Sequence, residues 1–348
     1  MPPELWTLRS PTGVRAEILG YGAVLRSLRV PDTGGESADV VLGLPTAAAY
    51  AQPHPYFGAT VGRYANRIAH GRFTLDGTAH RVPVNDRGHA LHGGPEGFHR
   101  RVWRARPRAA AGTDALELTL HSPDGDMGFP GALDVTLVYS LDEHGTLALD
   151  YTARCDRPTV LNLTHHSYFN LLGAGEGDVL GHTLALDAAA YLPVTPEGIP
   201  YGPTAATAGT PFDFGRPRPI GTDIDDPHPQ VAAAGGYDHC YVLSPARPDG
   251  APRRAARLTA PGGGRRMEVW TTEPGMQLYT GNTLDGSLPG GSAKPYGRHG
   301  GICLETQSFP DSPNRPAYPS TVLQPGSVFH SRTEYRFPHL AGGPDAAR

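Results

Sequence analysis

The sequence is poor in cysteine, in lysine and in long apolar runs, and each shortage removes a class of protein. Its three cysteines, Cys155, Cys240 and Cys303, are an odd number scattered through 348 residues, which is no disulfide framework. Reduced thiols and a cytoplasmic setting are the expectation. Lys294 is the only lysine among 30 basic residues, no basic block occurs, and the formal net charge is −4. An electrostatic grip on nucleic acid or on an anionic membrane surface is therefore not expected. No run of about 18 apolar residues is present, and the opening "MPPELWTLRSPTG" has no basic stretch followed by an apolar one, so neither a membrane span nor a secretory signal is read. A small neutral partner fits best.

Amphipathic helices of useful length are also missing; the best candidates are short Ala-rich pieces at Ala47–Ala51 and Val231–Ala234. What is present instead is period-2 alternation. In "ALDVTLVYSLDEHGTLALDYTARC", Leu133, Val135, Leu137, Tyr139 and Leu141 share one face, and Leu147, Leu149 and Tyr151 share another after a turn at Asp142–Gly145. A second hairpin is predicted in "GRFTLDGTAHRVPV", where Asp76-Gly77 suits a tight primed turn. "DALELTLHS" and "RRMEVWTTE" read as further strands. The 45 glycines and 36 prolines fall between apolar runs, as turn residues do. The predicted class is all-β, a large antiparallel β-sandwich forming one domain over residues 1–348, with long loops such as Thr195–Tyr237 decorating it.

Six polar stretches are too particular for ordinary surface: Gly62–Gly71, His89–Trp103, "NLTHHSYFNLLG" (Asn162–Gly173), Gly235–Leu243, Pro274–Asn282 and Gly301–Ser320. Taken singly, their residues have plain explanations. A lone histidine in a strand-rich chain is usually a hydrogen-bonded core or surface residue, Arg67 can simply pair with an acid, and Asp238 can bond turn amides. No Walker loop, Rossmann glycine fingerprint or Gly-x-Ser-x-Gly elbow occurs, so nucleotide binding and serine hydrolysis lack their usual supports. The metal candidate is His89-x-x-His92 with His99 beyond, but no acid stands at ligand spacing and glycines surround the pair, so no metal site is expected.

Together, "NRI", "LHGG", "NLTxHSYFNL", "YDH", "QxYTGN" and "ETQxFPDxPN", in this order over nearly the whole length, resemble the aldose 1-epimerases, the galactose mutarotase family. The resemblance implies a twisted β-sandwich with a sugar cleft on one face. It also implies interconversion of the α and β anomers of a free hexose, such as galactose or glucose, with no cofactor. By the same resemblance Glu305 is the catalytic base, His166 the acid and His92 a second catalytic or orienting histidine, while Asn66, Arg67, Asp238 and Gln277 bind the sugar. The family usually has Asn where this chain has His165. In an alternating strand His165 points away from the face carrying His166, so the departure leaves the chemistry intact.

The residue types suit the reaction. Opening a hemiacetal removes the proton on O1 and delivers one to the ring oxygen O5. A carboxylate of ordinary pKa about 4.3 is ionised near neutrality and can take the first, and an imidazole near 6.5 can supply the second. For this His166 must start protonated, so surroundings that keep its pKa from falling are expected. Arg67, Asp238 and Gln277 can bond hydroxyls, which both donate and accept. The rivals are a hexose-6-phosphate epimerase, with Arg100-Arg101 as phosphate candidates in an apparent strand beside Trp103, a glycosidase using Asp238 and Glu305, and a sugar-binding module without catalysis.

Overall fold

The computed structural model describes residues 4–110, 112–292 and 294–339, so the ends of the predicted 1–348 domain lie outside the described residues. The predicted hairpin is its clearest element. Strand Leu133–Asp142 buries alternate residues, and strand Leu147–Cys155 pairs with it so that Leu137 faces Tyr151 and Tyr139 faces Leu149. These two are central in a nine-stranded antiparallel sheet, in the order Arg104–Ala110, Thr113–Ser122, Leu133–Asp142, Leu147–Cys155, Phe329–Arg336, Arg266–Thr271, Arg253–Thr259, Thr183–Leu186 and Arg218–Pro219. The small hairpin Arg72–Leu75 and Thr78–Arg81 turns through Asp76 and Gly77, both at positive φ (48° and 77°), as a type I′ turn requires.

A six-stranded sheet lies against the large one, in the order Tyr168–Phe169, Ile302–Gln307, Gly275–Tyr279, Asp238–Leu243, Ala188–Tyr191 and Ala205–Ala206. Its inner face supplies Ile302, Leu304, Met276, Leu278 and Tyr241 to a core shared with Leu137, Tyr139, Leu149, Val269 and Tyr335 of the large sheet. Each such aliphatic side chain contributes about 1.5–3 kcal/mol when fully buried. With one face committed to this core, the alternate residues of the six-stranded sheet face outward. Four of the polar stretches, Asn162–Gly173, Gly235–Leu243, Pro274–Asn282 and Gly301–Ser320, contribute strands to this sheet.

Three sequence expectations are refined. Asn162–Gly173 is not one strand: Thr164–His165 pairs with Thr60–Val61, whereas Tyr168–Phe169 pairs with Ile302–Gln307, and the chain changes partner at His166–Ser167. Thr195–Tyr237 is more than decoration, since it adds Ala205–Ala206 and Arg218–Pro219 to the edges of the two sheets, while the short helix expected at Val231–Ala234 is found there as Pro229–Ala234. Arg100 and Arg101 are not in a strand. Phe98–Arg100 is a 3-10 turn, and the two guanidiniums pair with Glu96 (3.3 Å) and Asp126 (3.1 Å). Among the described residues no helix is long and apolar enough to cross a membrane.

Candidate active site

Strand register assembles the site. In Gly275–Tyr279, Gln277 stands opposite Cys240 of one neighbouring strand and Glu305 of the other, while Tyr279 stands opposite Asp238 and Cys303. Because side chains alternate, all six lie on the face turned away from the core. Here a cleft of about 470 Å³ opens, and Glu305, His166, His92, Asn66, Arg67, Asp238 and Gln277 all line it. Loops complete the walls: Tyr56, Asp86-Arg87, Val194-Pro196 with Gly198, and Gln230 of the short helix.

At the centre, His166 Nε2 lies 3.6 Å from Glu305 Oε1, both residues being buried. The backbone of His166 is tied into the Tyr56–Ala59 turn: its N–H donates to the Ala59 carbonyl (2.9 Å) and its carbonyl accepts from the Gly58 N–H (3.0 Å). His165, next in the chain, points the other way, with Nε2 2.6 Å from the Tyr139 hydroxyl in the core. The alternation expected at this pair therefore holds although the strand is broken.

His92 is oriented by its other nitrogen. The Asn66 N–H donates to His92 Nδ1 (3.2 Å), so the neutral ring carries its proton on Nε2 and acts there as a donor. Burial, then the neighbouring His166 and Arg67, hold its pKa well below the usual histidine range, so it stays neutral. The Arg67 guanidinium donates to Asp86 (2.9 Å), and the Gln277 amide donates to Asp238 (2.7 Å). Glu305 Oε2 and Gln277 Oε1 are buried without a protein partner. Buried acceptors of this kind are costly unless a donor such as a sugar hydroxyl meets them.

The expected protonation of the central pair needs correction. Burial, reinforced by the negative charge of Asp238 and opposed by Arg67, pushes Glu305 well above the ordinary carboxylate range. Burial also takes His166 down to about 4, against the pull of its own backbone carbonyl and of Asp238. Free of solvent, both groups favour their neutral forms, and the pair holds one proton between them. That count is right for anomerisation, because one proton must be given to O5 while another is taken from O1.

His89, His92 and His99, weighed and set aside as a metal candidate, do not all line the cleft. His89 Nδ1 accepts from the His70 N–H (2.9 Å) and is not among the cleft residues, and the His99 ring packs against Tyr56. Instead His92, His166 and Glu305 bring possible ligand atoms within 4.8 Å of one another. A ring whose Nδ1 accepts an amide proton holds its own proton on Nε2, so His92 presents no free lone pair to a cation. Sequence reasoning missed Asp86, Tyr56, Tyr279 and Asn282, which line the cleft. Asp86 was legible only as a turn residue near a glycine; its pairing with Arg67 across 19 positions is a tertiary fact.

The model of the aldose 1-epimerase family matches residues 4–336. The chain belongs to the aldose 1-epimerase family. It is 42% identical to the galactose mutarotase of Bos taurus over 324 residues, covering 93% of this chain and 91% of that protein. It is 38% identical to the aldose 1-epimerase of Escherichia coli over 340 residues, covering 97% and 95%. The crystal structure of a galactose 1-epimerase from Lactobacillus acidophilus superposes with a TM-score of 0.83 at 30% identity, covering 95% of this chain and 93% of that one. In this aldose 1-epimerase family member the two arginines weighed as phosphate ligands are engaged with Glu96 and Asp126 and do not line the cleft.

Proposed function

We propose that this protein is an isomerase that interconverts the α and β anomers of a free aldose, galactose or glucose being the expected substrates, through the open-chain aldehyde. The observation that carries this reading is the approach of Glu305 to His166 at 3.6 Å in a buried cleft. The anomeric hydroxyl and the ring oxygen share one carbon, so a carboxyl and an imidazole this close can address both at once. In the reacting form the one proton the pair shares sits on His166 and leaves Glu305 ionised; Glu305 then takes the O1 proton, His166 Nε2 supplies the O5 proton, and His92 Nε2–H donates to an anomeric-end oxygen. The ring opens, C1 turns about the C1–C2 bond, and the reverse transfers close the ring on the other face. The pair ends with the proton count it began with, so the reaction calls for no cofactor.

Asn66, Arg67, Asp238 and Gln277 hold the remaining hydroxyls while C1 turns. Asp238 and the Gln277 carbonyl accept and Arg67 donates, a complement fitted to hydroxyls rather than to a phosphate. Residues 1–348 are read as one catalytic domain working in the cytoplasm on a small sugar, with neither nucleic acid nor membrane as partner. Polarimetry of freshly dissolved α-glucose and α-galactose tests this. The protein should speed the drift to equilibrium equally with and without chelator; no acceleration for any aldose would end the proposal, and loss on chelation restored by a divalent ion would turn it toward a metal at His92, His166 and Glu305.

A further inference from the structure

The imidazole of His166 has more around it than its reacting partner. Two tyrosine rings lie near-parallel to it: Tyr168, with centroids 5.1 Å apart and planes at 27°, and Tyr56, at 5.6 Å and 23°. Tyr168 belongs to the six-stranded sheet. Tyr56 comes from a loop, at a backbone φ of 59° that a bulky residue seldom adopts. The edge of the Tyr56 ring pattern is completed by His92 (4.6 Å, 66°) and His99 (4.7 Å, 68°), so one loop residue touches three imidazoles. The turn that begins at Tyr56 is hydrogen-bonded on both sides to the backbone of His166, through Gly58 and Ala59. These bonds fix the Tyr56 turn relative to the backbone of His166.

Such an arrangement answers a need of the acid. When His166 carries its proton it is a cation in a place with little water, and the group nearest its Nε2, Glu305, is neutral in the proton-sharing state that follows O1 deprotonation. The other groups facing it give little support: His92, His99 and His54 are not anions, and Cys303 Sγ at 3.6 Å from Nδ1 is a buried thiol held in its protonated form. Asp238 is the other carboxylate acting on it. An aromatic face within about 6 Å attracts a cation, and does so most where water is excluded.

We propose that Tyr56 is a positioning residue whose ring face, alongside Tyr168, aims the His166 imidazole at the ring oxygen and stabilises its protonated form during turnover. This rests on the anomerisation reading above. The ring, not the hydroxyl, does the work, so the role belongs to the π face and should survive Tyr56→Phe.

The test is a graded series at position 56: Tyr56→Phe, then phenylalanine carrying one, two and three ring fluorines, and Tyr56→Leu. Shape is nearly constant through the fluorinated set, so folding, checked by thermal melting, should not change even where Tyr56→Leu melts early. Anomerisation kinetics should show kcat retained in Tyr56→Phe and falling progressively with fluorination, with Tyr56→Leu down at least about fivefold and KM little altered. Withdrawing support from the imidazolium lowers the pKa of His166, so the limb of the kcat/KM profile that reports His166 should move to lower pH along the same series. A series flat in kcat and in the limb, or one in which only KM rises, would overturn the proposal and make Tyr56 a wall against which the sugar packs. An inactive wild-type protein would instead count against the function itself.

Discussion

His165 and His166 are adjacent imidazoles with opposite surroundings. Tyr139 has one hydroxyl proton and gives it to the Ala23 carbonyl (2.7 Å), so His165 must donate from Nε2 to the Tyr139 oxygen, 2.6 Å away. Its Nδ1 then accepts from Ser167 (3.1 Å), and burial, followed by the charge of His166, lowers its pKa to about 3. His165 is thus a neutral core residue with both nitrogens bonded. His165→Asn, which introduces the commoner family residue, should leave kcat essentially unchanged, but the shorter amide cannot meet both partners. The expected loss is about 1–3 kcal/mol of stability, read from the denaturation midpoint. An equal fall in kcat would mean that the core side of this segment controls the cleft side. That the two histidines point opposite ways was legible from period-2 alternation, and that His166 is the one in the cleft followed from the family resemblance. Their protonation was not legible, because it depends on burial created by segments far away in the chain.

At the level of elements, the long hairpin and the Asp76-Gly77 turn were readable because their signals are local: alternation along ten residues and two positions needing positive φ. Two-residue strands such as Thr164–His165 carry no periodicity to read, and their partners lie about a hundred or more positions away. The two-residue strands within Thr195–Tyr237 are hidden for the same reason, whereas its Ala-rich helix at Val231–Ala234 is legible. One of its turns nonetheless bears on the site. Gly198 sits at φ +88° against Arg67, and a Cβ there would come within 2.8 Å of Nη1. Nearby, Arg87 donates to the Pro196 carbonyl (3.0 Å) and Arg315 to that of Pro200, pinning the turn from both ends. Gly198→Ala should therefore displace the Arg67 guanidinium, raising KM several-fold with kcat little changed, since Arg67 binds rather than transfers protons. Unaltered KM would show that the turn yields freely and does not set the position of Arg67.

Over the whole molecule, the two sheets divide the labour: one face of the six-stranded sheet closes the core and the other presents Asp238, Gln277 and Glu305 on three adjacent strands. Asp238 and Glu305, 67 positions apart in the chain, thereby come to flank the strand that carries Gln277. All seven residues singled out from the sequence line one cleft, whereas Tyr56 and Asp86 escaped notice because only the folded chain brings them there. The proposed reaction turns on Glu305 exchanging the O1 proton. Glu305→Gln preserves size and hydrogen-bonding capacity and removes the exchangeable carboxyl, so it isolates that step. Polarimetry with galactose and glucose, paired with calorimetric titration of sugar, should show binding retained and kcat lowered by roughly 10²- to 10⁴-fold. Near-normal kcat with a raised KM would contradict the account, leaving Glu305 a binding residue and moving the search for the base to Asp238.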